Sequence, residues 1–262
     1  MKNKILIALL LVGYLSFCQN VLVTYHVNEN TNNPVLSRNL DYNLVIKNEQ
    51  SLYFNTTDSL EQFKYSKFID SAKKSGDVVV VKLADNVSAQ IKEDLFYKNY
   101  QKDSLFYNDY ITNKKLVIRE NLQLFNWELV PNQDKTILNY NCKKAVSSFR
   151  GRKYEAYYTD EIAPYGGPWK FDGLPGLILA VKSTDNYFVL EATKLILNKD
   201  KEIIANPYTN QKTMSWQDFK TGYRKLIEKQ FLLLKSLSEN GEGGSVKIGD
   251  KIEDLEIPEM KF

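Results

Sequence analysis

Apolar and polar side chains alternate from residue 21 onward. In VLVTYHVN, Val21, Val23, Tyr25 and Val27 fall on one face of an extended segment, and Leu22, Thr24 and His26 fall on the other, because successive strand side chains point to opposite faces. Segments 40–47, 51–56 and 77–84 are likewise rich in Val, Ile, Leu, Tyr and Phe, with clusters of Asn, Asp, Ser, Pro or Gly between them. That punctuation predicts strands. Segments 94–100, 104–111 and 114–121 continue at short spacing, and DLFYKNY resembles SLFYNDY. The likeness predicts two neighbouring antiparallel strands, not a solenoid unit.

From residue 138 the alternation sharpens. LNYNCKKAVSSF is followed by Arg150-Gly151 and then RKYEAYYT, in which Tyr154, Ala156 and Tyr158 share one face. Gly151 supplies the positive φ of a tight reversal, so this is a hairpin. Segments 176–184 and 186–198 form another pair, linked by the turn-forming STDN.

Helical spacing is found near the C-terminal end. Trp216, Phe219, Tyr223, Leu226, Ile227, Phe231, Leu234 and Leu237 recur along one face between Ser215 and about Ser238. Ser215 can cap the amide of Asp218, and Met214 can pack on Phe219 across the first turn. A second, weaker helix candidate lies within residues 58–74. The pattern predicts an α+β, mainly β chain: a curved antiparallel sheet, a meander of hairpins, covered by one long C-terminal helix. Residues 19–262 read as one domain, with a flexible acidic tail from about residue 240. Its IEDLEIP segment reads as an edge strand or an ordered arm.

The stretch GGPWKFDGLPGLIL, residues 166–179, is the densest in glycine and proline. It lacks the spacing of a P-loop or a dinucleotide loop, and its glycines lead into the strand-like run Leu177 to Val181. Pro175-Gly176 fits the central positions of a type II turn, with Gly176 at positive φ, and Gly166-Gly167-Pro168 makes an earlier reversal.

Composition changes the picture mainly at the N-terminus. Lys2 and Lys4 precede an apolar run from Ile5 to Leu15, followed by Ser16, Phe17, Cys18 and Gln19. Residues 1–18 therefore read as a secretory signal peptide cleaved before Gln19. A lipobox reading would acylate Cys18 and tether the protein to a membrane, although Phe17 is bulky where that signal uses a small residue. No transmembrane segment is expected. Removing the leader lowers the formal charge from +3 to +1, which argues against a nucleic-acid partner. Cys142 is then the only cysteine, so no intramolecular disulfide can form, and a small buried apolar role suits it. The single histidine, His26, rules out poly-His metal sites. No metal and no cofactor are expected.

The segment FRGRKYEAYYTDEIAPYGGPWKFDGLPGLILAV, residues 149–181, resembles the signature of the GLPGLI family. The hexapeptide is present as Gly173, Leu174, Pro175, Gly176, Leu177 and Ile178, and the likeness extends back through Tyr140, Cys142, Lys144 and Ala145. The resemblance implies an exported, mostly β protein of Gram-negative bacteria, located in the periplasm, at the outer membrane or outside the cell. It also implies kinship with an accessory N-terminal domain of a secreted glycan-cleaving amidase, and it supplies no catalytic residues.

Two functional expectations follow. The first is a non-enzymatic binding or accessory role towards an envelope protein partner, a glycan or a hydrophobic ligand. It draws on the 13% aromatic content, since aromatic faces support sugar and partner contacts. Arg150, Arg152, Trp169 and Lys170 are its candidate contact residues. The alternative is a glycan hydrolase or amidase using Asp160, Glu161 and Asp172, because paired carboxylates can cleave glycosidic bonds.

Overall fold

The alternation in VLVTYHVN does build a strand. In the computed structural model, which describes residues 20–30, 37–55, 95–111, 114–198, 204–237, 245–246 and 252–261, β1 (Asn20–Glu29) buries Val21, Val23, Tyr25 and Val27 and leaves Leu22, Thr24 and His26 half-exposed. The leader, the 77–84 strand and the 58–74 helix candidate lie outside the described residues.

Two meanders meet at β1. The first runs through β2 (Arg38–Lys47), β3 (Gln50–Asn55), β4 (Leu95–Asn99), β5 (Ser104–Ile111) and β6 (Lys114–Glu120). The second runs through β7 (Glu128–Ile137), β8 (Tyr140–Phe149), β9 (Arg152–Thr159), β10 (Leu177–Ser183) and β11 (Phe188–Asn198). Antiparallel pairing of β1 with β11, from Asn20 opposite Asn198 to Glu29 opposite Phe188, fuses them. The short β12 (Thr213–Met214) adds in parallel to β6. Among the described residues the result is one open, curved sheet of twelve strands, ending at β12 on one side and β7 on the other. The DLFYKNY and SLFYNDY segments pair antiparallel as β4 and β5.

Local chemistry explains the connections. Arg150 and Gly151 both take positive φ, 42° and 85°, the geometry of a two-residue hairpin turn whose twist matches the flanking strands. The helix α1 (Trp216–Leu237) starts as its sequence predicts: the Asp218 amide donates to Ser215 Oγ at 3.0 Å, and Ser215 Oγ donates to Asp218 Oδ2 at 2.7 Å. α1 lies against β5, β6 and the small strand β13 (Ser245–Val246). Phe219 and Ile227 are its buried anchors. Gly222 admits Ile111, whose Cδ1 would lie 2.9 Å from a Cβ at that position. The last turns leave Leu232 and Leu233 exposed, so the first half of the helix does the covering. No helix among the described residues is long and apolar enough to cross a membrane.

Most of the core sits on the face of the sheet that carries Val21, Tyr25, Leu44, Phe96 and Tyr154. Around β3 to β6 the opposite face is buried as well: Leu52, Phe54, Leu95, Tyr97 and Val117 pack with Ile204 and Tyr208. The Tyr208 hydroxyl lies 2.7 Å from Leu95 O and 2.8 Å from Asn108 Oδ1, its one proton serving these two acceptors and fastening that second cover.

Two expectations change. Pro175-Gly176 is not a type II turn, because Gly176 lies outside the left-handed region occupied by Gly166, Gly173 and Trp169. Instead the Gly176 amide donates to Leu174 O at 2.9 Å, a three-residue turn centred on Pro175. Glycine is required there by proximity, since a Cβ would overlap the Thr159 carbonyl. The tail also differs from a loose end over residues 252–261. Leu255 and Glu253 are buried, the Asp254 amide donates to Arg150 O at 2.9 Å, and β14 (Met260–Lys261) pairs with β13. Of the two readings of IEDLEIP, the ordered arm is the one observed.

Candidate functional site

The 160–176 segment joins β9 to β10 and is fixed between two buried lysines. Lys98 follows Phe96 onto the main core face of β4 by strand alternation. Its ammonium donates to Gly167 O at 2.9 Å, Phe171 O at 2.8 Å and Asp172 Oδ2 at 2.8 Å, so all three protons are used. The Lys98 side chain is 1% exposed and that of Asp172 5%. Burial lowers the Lys98 pKa, with Asp172 opposing the shift. Trp127 Nε1 donates to Asp172 O at 2.7 Å, and the Gly173 amide closes on Asp172 Oδ1 at 2.9 Å.

Lys170 is the second anchor. Its ammonium lies 2.6 Å from Glu253 Oε2 and 3.5 Å from Glu120 Oε1. Arg150 pairs with the same two carboxylates. Aromatic rings line the group: Lys170 Nζ stands 3.8 Å from the Tyr107 ring centre and 4.8 Å from that of Trp216, and the Arg150 guanidinium is 3.9 Å from Trp216 and 4.6 Å from Phe149. The quartet therefore joins the end of β6, the β8–β9 turn, the loop and the C-terminal arm, with two cations against two carboxylates. Burial pushes the Glu120 carboxyl up, but Lys170 and Arg150 together outweigh it and hold it below the usual range. Burial lowers the Lys170 pKa, and Glu253 and Glu120 counter it.

Three of the four sequence candidates, Arg150, Trp169 and Lys170, are thus brought together; Trp169 and Lys170 are buried, and Arg150 is half-buried with its side chain 15% exposed. Arg152 stands apart, 2.8 Å from Asp185 with its guanidinium 3.7 Å from the Tyr187 ring centre. Glu120 and Glu253 complete the cluster and carry no local sequence signal. Asp160 is exposed beside Lys143 at 2.5 Å, Glu161 accepts from the Asn141 amide at 3.2 Å, and Asp172 is buried against Lys98. His26 meets Asp41 at 2.8 Å on the outer face. Cys142 is buried and free, with its thiol pushed up by burial to about 11.

The aromatic content, expected to furnish contact surface, is mostly interior among the described residues. Trp169 packs on Phe96, Phe149, Phe171 and Phe188. At the rim of the loop, Tyr165 is 48% exposed with its ring edge against Tyr100, and half-buried Trp127 stacks on Phe125 beside exposed Gly173. The backbone at Trp169 is strained, with φ 50°, whereas Gly173 takes 88° as a glycine readily does. A bulky residue in that region persists only where its surroundings over-determine it.

Comparison with known proteins bears on the same region. The family described as "N-glycanase peptide, N-terminal domain" matches residues 69–224, which includes the loop and both lysines. No curated protein matches the chain. Among solved structures, PNGF-II in space group P21 is 18% identical with a TM-score of 0.50, the match covering 80% of this chain and 34% of that one. PNGF-II in space group C2 is 17% identical with a TM-score of 0.49, covering 89% and 36%. This chain therefore spans about a third of the length of PNGF-II, and at 18% identity the likeness is one of fold. Since the family match extends over more than half of its residues, the chain belongs to the N-glycanase N-terminal domain family.

Proposed function

We propose that the protein is an exported, non-enzymatic accessory module that recognises glycan-bearing material at the bacterial envelope. The observation that carries this reading is the family match over residues 69–224, which is to an N-terminal domain named for an N-glycanase. The rim of the loop supplies suitable chemistry. Tyr165 and Trp127 offer aromatic surface to the apolar faces of sugar rings, and a loop held by two buried lysines needs little further ordering on binding. A non-catalytic role is supported by the carboxylates, because Asp160 and Asp172 are each held by a cation, Lys143 and Lys98.

The test is binding and turnover on N-linked glycopeptides, read by calorimetry and mass spectrometry. Binding without release of glycan is expected, weakened about tenfold by Tyr165→Ala or Trp127→Ala, the loss of one stacking contact. Release of glycan that disappears in Asp160→Asn or Asp172→Asn would establish the hydrolase or amidase instead. Export is read separately: a mature N-terminus at Gln19 supports simple cleavage, and a lipid-modified Cys18 supports a tether.

A further inference from the structure

Every wall of the Lys170 cluster belongs to the body of the fold. Tyr107 comes from β5, Glu120 from β6, Phe149 and Arg150 from the β8–β9 turn, Lys170 from the loop, and Trp216 from the start of α1. Glu253 alone arrives from the C-terminal arm, beyond the glycine-rich sequence GEGGS at 241–245. Glu253 thus stands to this enclosure as a bound carboxylate stands to a receptor: one oxygen on a guanidinium, the other on an ammonium, each of these cations resting on an aromatic ring.

We infer that Arg150, Lys170, Tyr107 and Trp216 form a binding site for a carboxylate-bearing sugar, closed in the resting protein by Glu253 of its own arm. The identity of the outside ligand rests on the glycan-recognition reading. The site itself rests on the geometry.

Charge selects the class. Without Glu253 the walls hold Arg150 and Lys170 against Glu120, a surplus of one positive charge. A neutral sugar would leave that surplus buried and uncompensated, and a phosphate dianion would reverse it. A single carboxylate balances it, as Glu253 does. The rings serve the two cations: Lys170 lies on Tyr107 and Arg150 on Trp216, while Tyr107 and Trp216 also stack on Phe96 and Phe219. They hold the charged pair in place for a carboxylate, and the glycan-recognition reading makes that carboxylate a uronic acid's.

The arm is held by several separable contacts. They include burial of Leu255, the packing of Ile252 and Ile257 on the core, the Asp254 amide on Arg150 O, the Tyr154 hydroxyl on Ile252 O at 3.3 Å, the partly exposed pair of Lys220 with Glu256, the Arg224 guanidinium on Glu256 O at 3.2 Å, and the pairing of β14 with β13. None of the hydrogen bonds and ion pairs among them passes through the walls of the carboxylate site except at Arg150, whose backbone and side chain are both used. Loosening the arm and emptying the site are therefore distinct operations, and each can be made by one substitution.

The experiment uses the full-length chain with Glu253→Ala, its fold checked by near-UV circular dichroism. Thermal midpoints are compared in sodium chloride, sodium acetate and sodium glucuronate at equal ionic strength. Both carboxylates are expected to raise the midpoint of the variant above its value in chloride, glucuronate more than acetate, while the wild type responds to neither. A variant indifferent to the choice of anion overturns the inference. Should Glu253→Ala not fold, Leu255→Ala keeps Glu253 but weakens the competing arm. It is expected to bind glucuronate about tenfold more tightly than wild type, and an unchanged affinity overturns the inference.

A synthetic peptide of residues 252–257 that binds Glu253→Ala when glucuronate does not would also overturn it, in favour of an acidic peptide as ligand. Carboxylate rescue of the variant alongside a wild type that binds no glycopeptide would defeat the glycan-recognition function and leave the carboxylate site standing. Glycopeptide binding by the wild type without carboxylate rescue would do the reverse, removing the site and sparing the function.

Discussion

Two lysines hold one loop from opposite sides, and they do so differently. Lys98 belongs to the sheet and grips the loop by its backbone, through Gly167 O and Phe171 O, and by an ion pair with Asp172. Lys170 belongs to the loop and grips the rest of the molecule, through two carboxylates that it shares with Arg150. The first arrangement is a buttress built on one ion pair. The second is a shared network in which each charge has two opposite neighbours. Between them Trp169 sits at φ 50°, a conformation a tryptophan adopts only when both ends of its segment are fixed. The difference teaches where redundancy lies: loss of one member should be severe at the buttress and partly absorbed by the network.

The largest expected effect tests that asymmetry directly. Asp172→Ala leaves the Lys98 ammonium buried without its counter-charge, and breaking a buried pair in this way costs about 3–5 kcal/mol. Glu253→Ala leaves Glu120 facing both Lys170 and Arg150, so a loss nearer about 1–3 kcal/mol is expected. Urea unfolding of the two variants, analysed by linear extrapolation, gives both values. Equal losses would mean that the network is no more redundant than the buttress.

A smaller effect concerns acid. The Glu120 carboxyl is held below its ordinary range by Lys170 and Arg150 despite its burial. A carboxyl with a lowered folded pKa contributes stability that is complete above its unfolded pKa, about 4.3. That contribution is lost as pH falls through the lower folded value. Glu120→Gln cannot titrate, so its unfolding free energy should fall less steeply than the wild type's below about pH 4.3. Parallel profiles would place the acid-sensitive charge elsewhere.

How much of this is legible in the sequence depends on how local each cause is. β1, the hairpin at Arg150-Gly151, the β10–β11 pair and the Ser215 cap follow from alternation or from residues at most four apart. β7 escapes that logic because almost every residue in it is exposed at the edge of the sheet, leaving no apolar period to detect. Gly176 departs from its expected turn because its need for glycine comes from the Thr159 carbonyl on the adjacent strand, not from its own φ. The gathering of Arg150, Trp169 and Lys170 is foreshadowed by their nearness in sequence. Their carboxylate partners, Glu120 and Glu253, lie up to 103 residues from Arg150 and are not. Aromatic abundance likewise does not say on its own which rings face water, and among the described residues most of them do not.

The smallest expected effect separates the two aspartates that flank the motif. Asp160 and Asp172 look equivalent in sequence, each a loop carboxylate close to glycines and aromatics. In the fold, both Asp160 and its partner Lys143 are about half-exposed, whereas Asp172 and Lys98 are enclosed. Hydrogen bonding and charge from Lys143 hold the Asp160 carboxyl below its usual range. Solvent and salt screen such a pair, and holding two side chains in one geometry offsets much of the remainder. Asp160→Asn should therefore leave the unfolding midpoint close to wild type in moderate salt, with any small difference fading as salt is raised. A loss approaching that of Asp172→Ala would show that the β9–β10 segment is anchored at its exposed end as well, and the contrast between buttress and network would then describe only two of three supports.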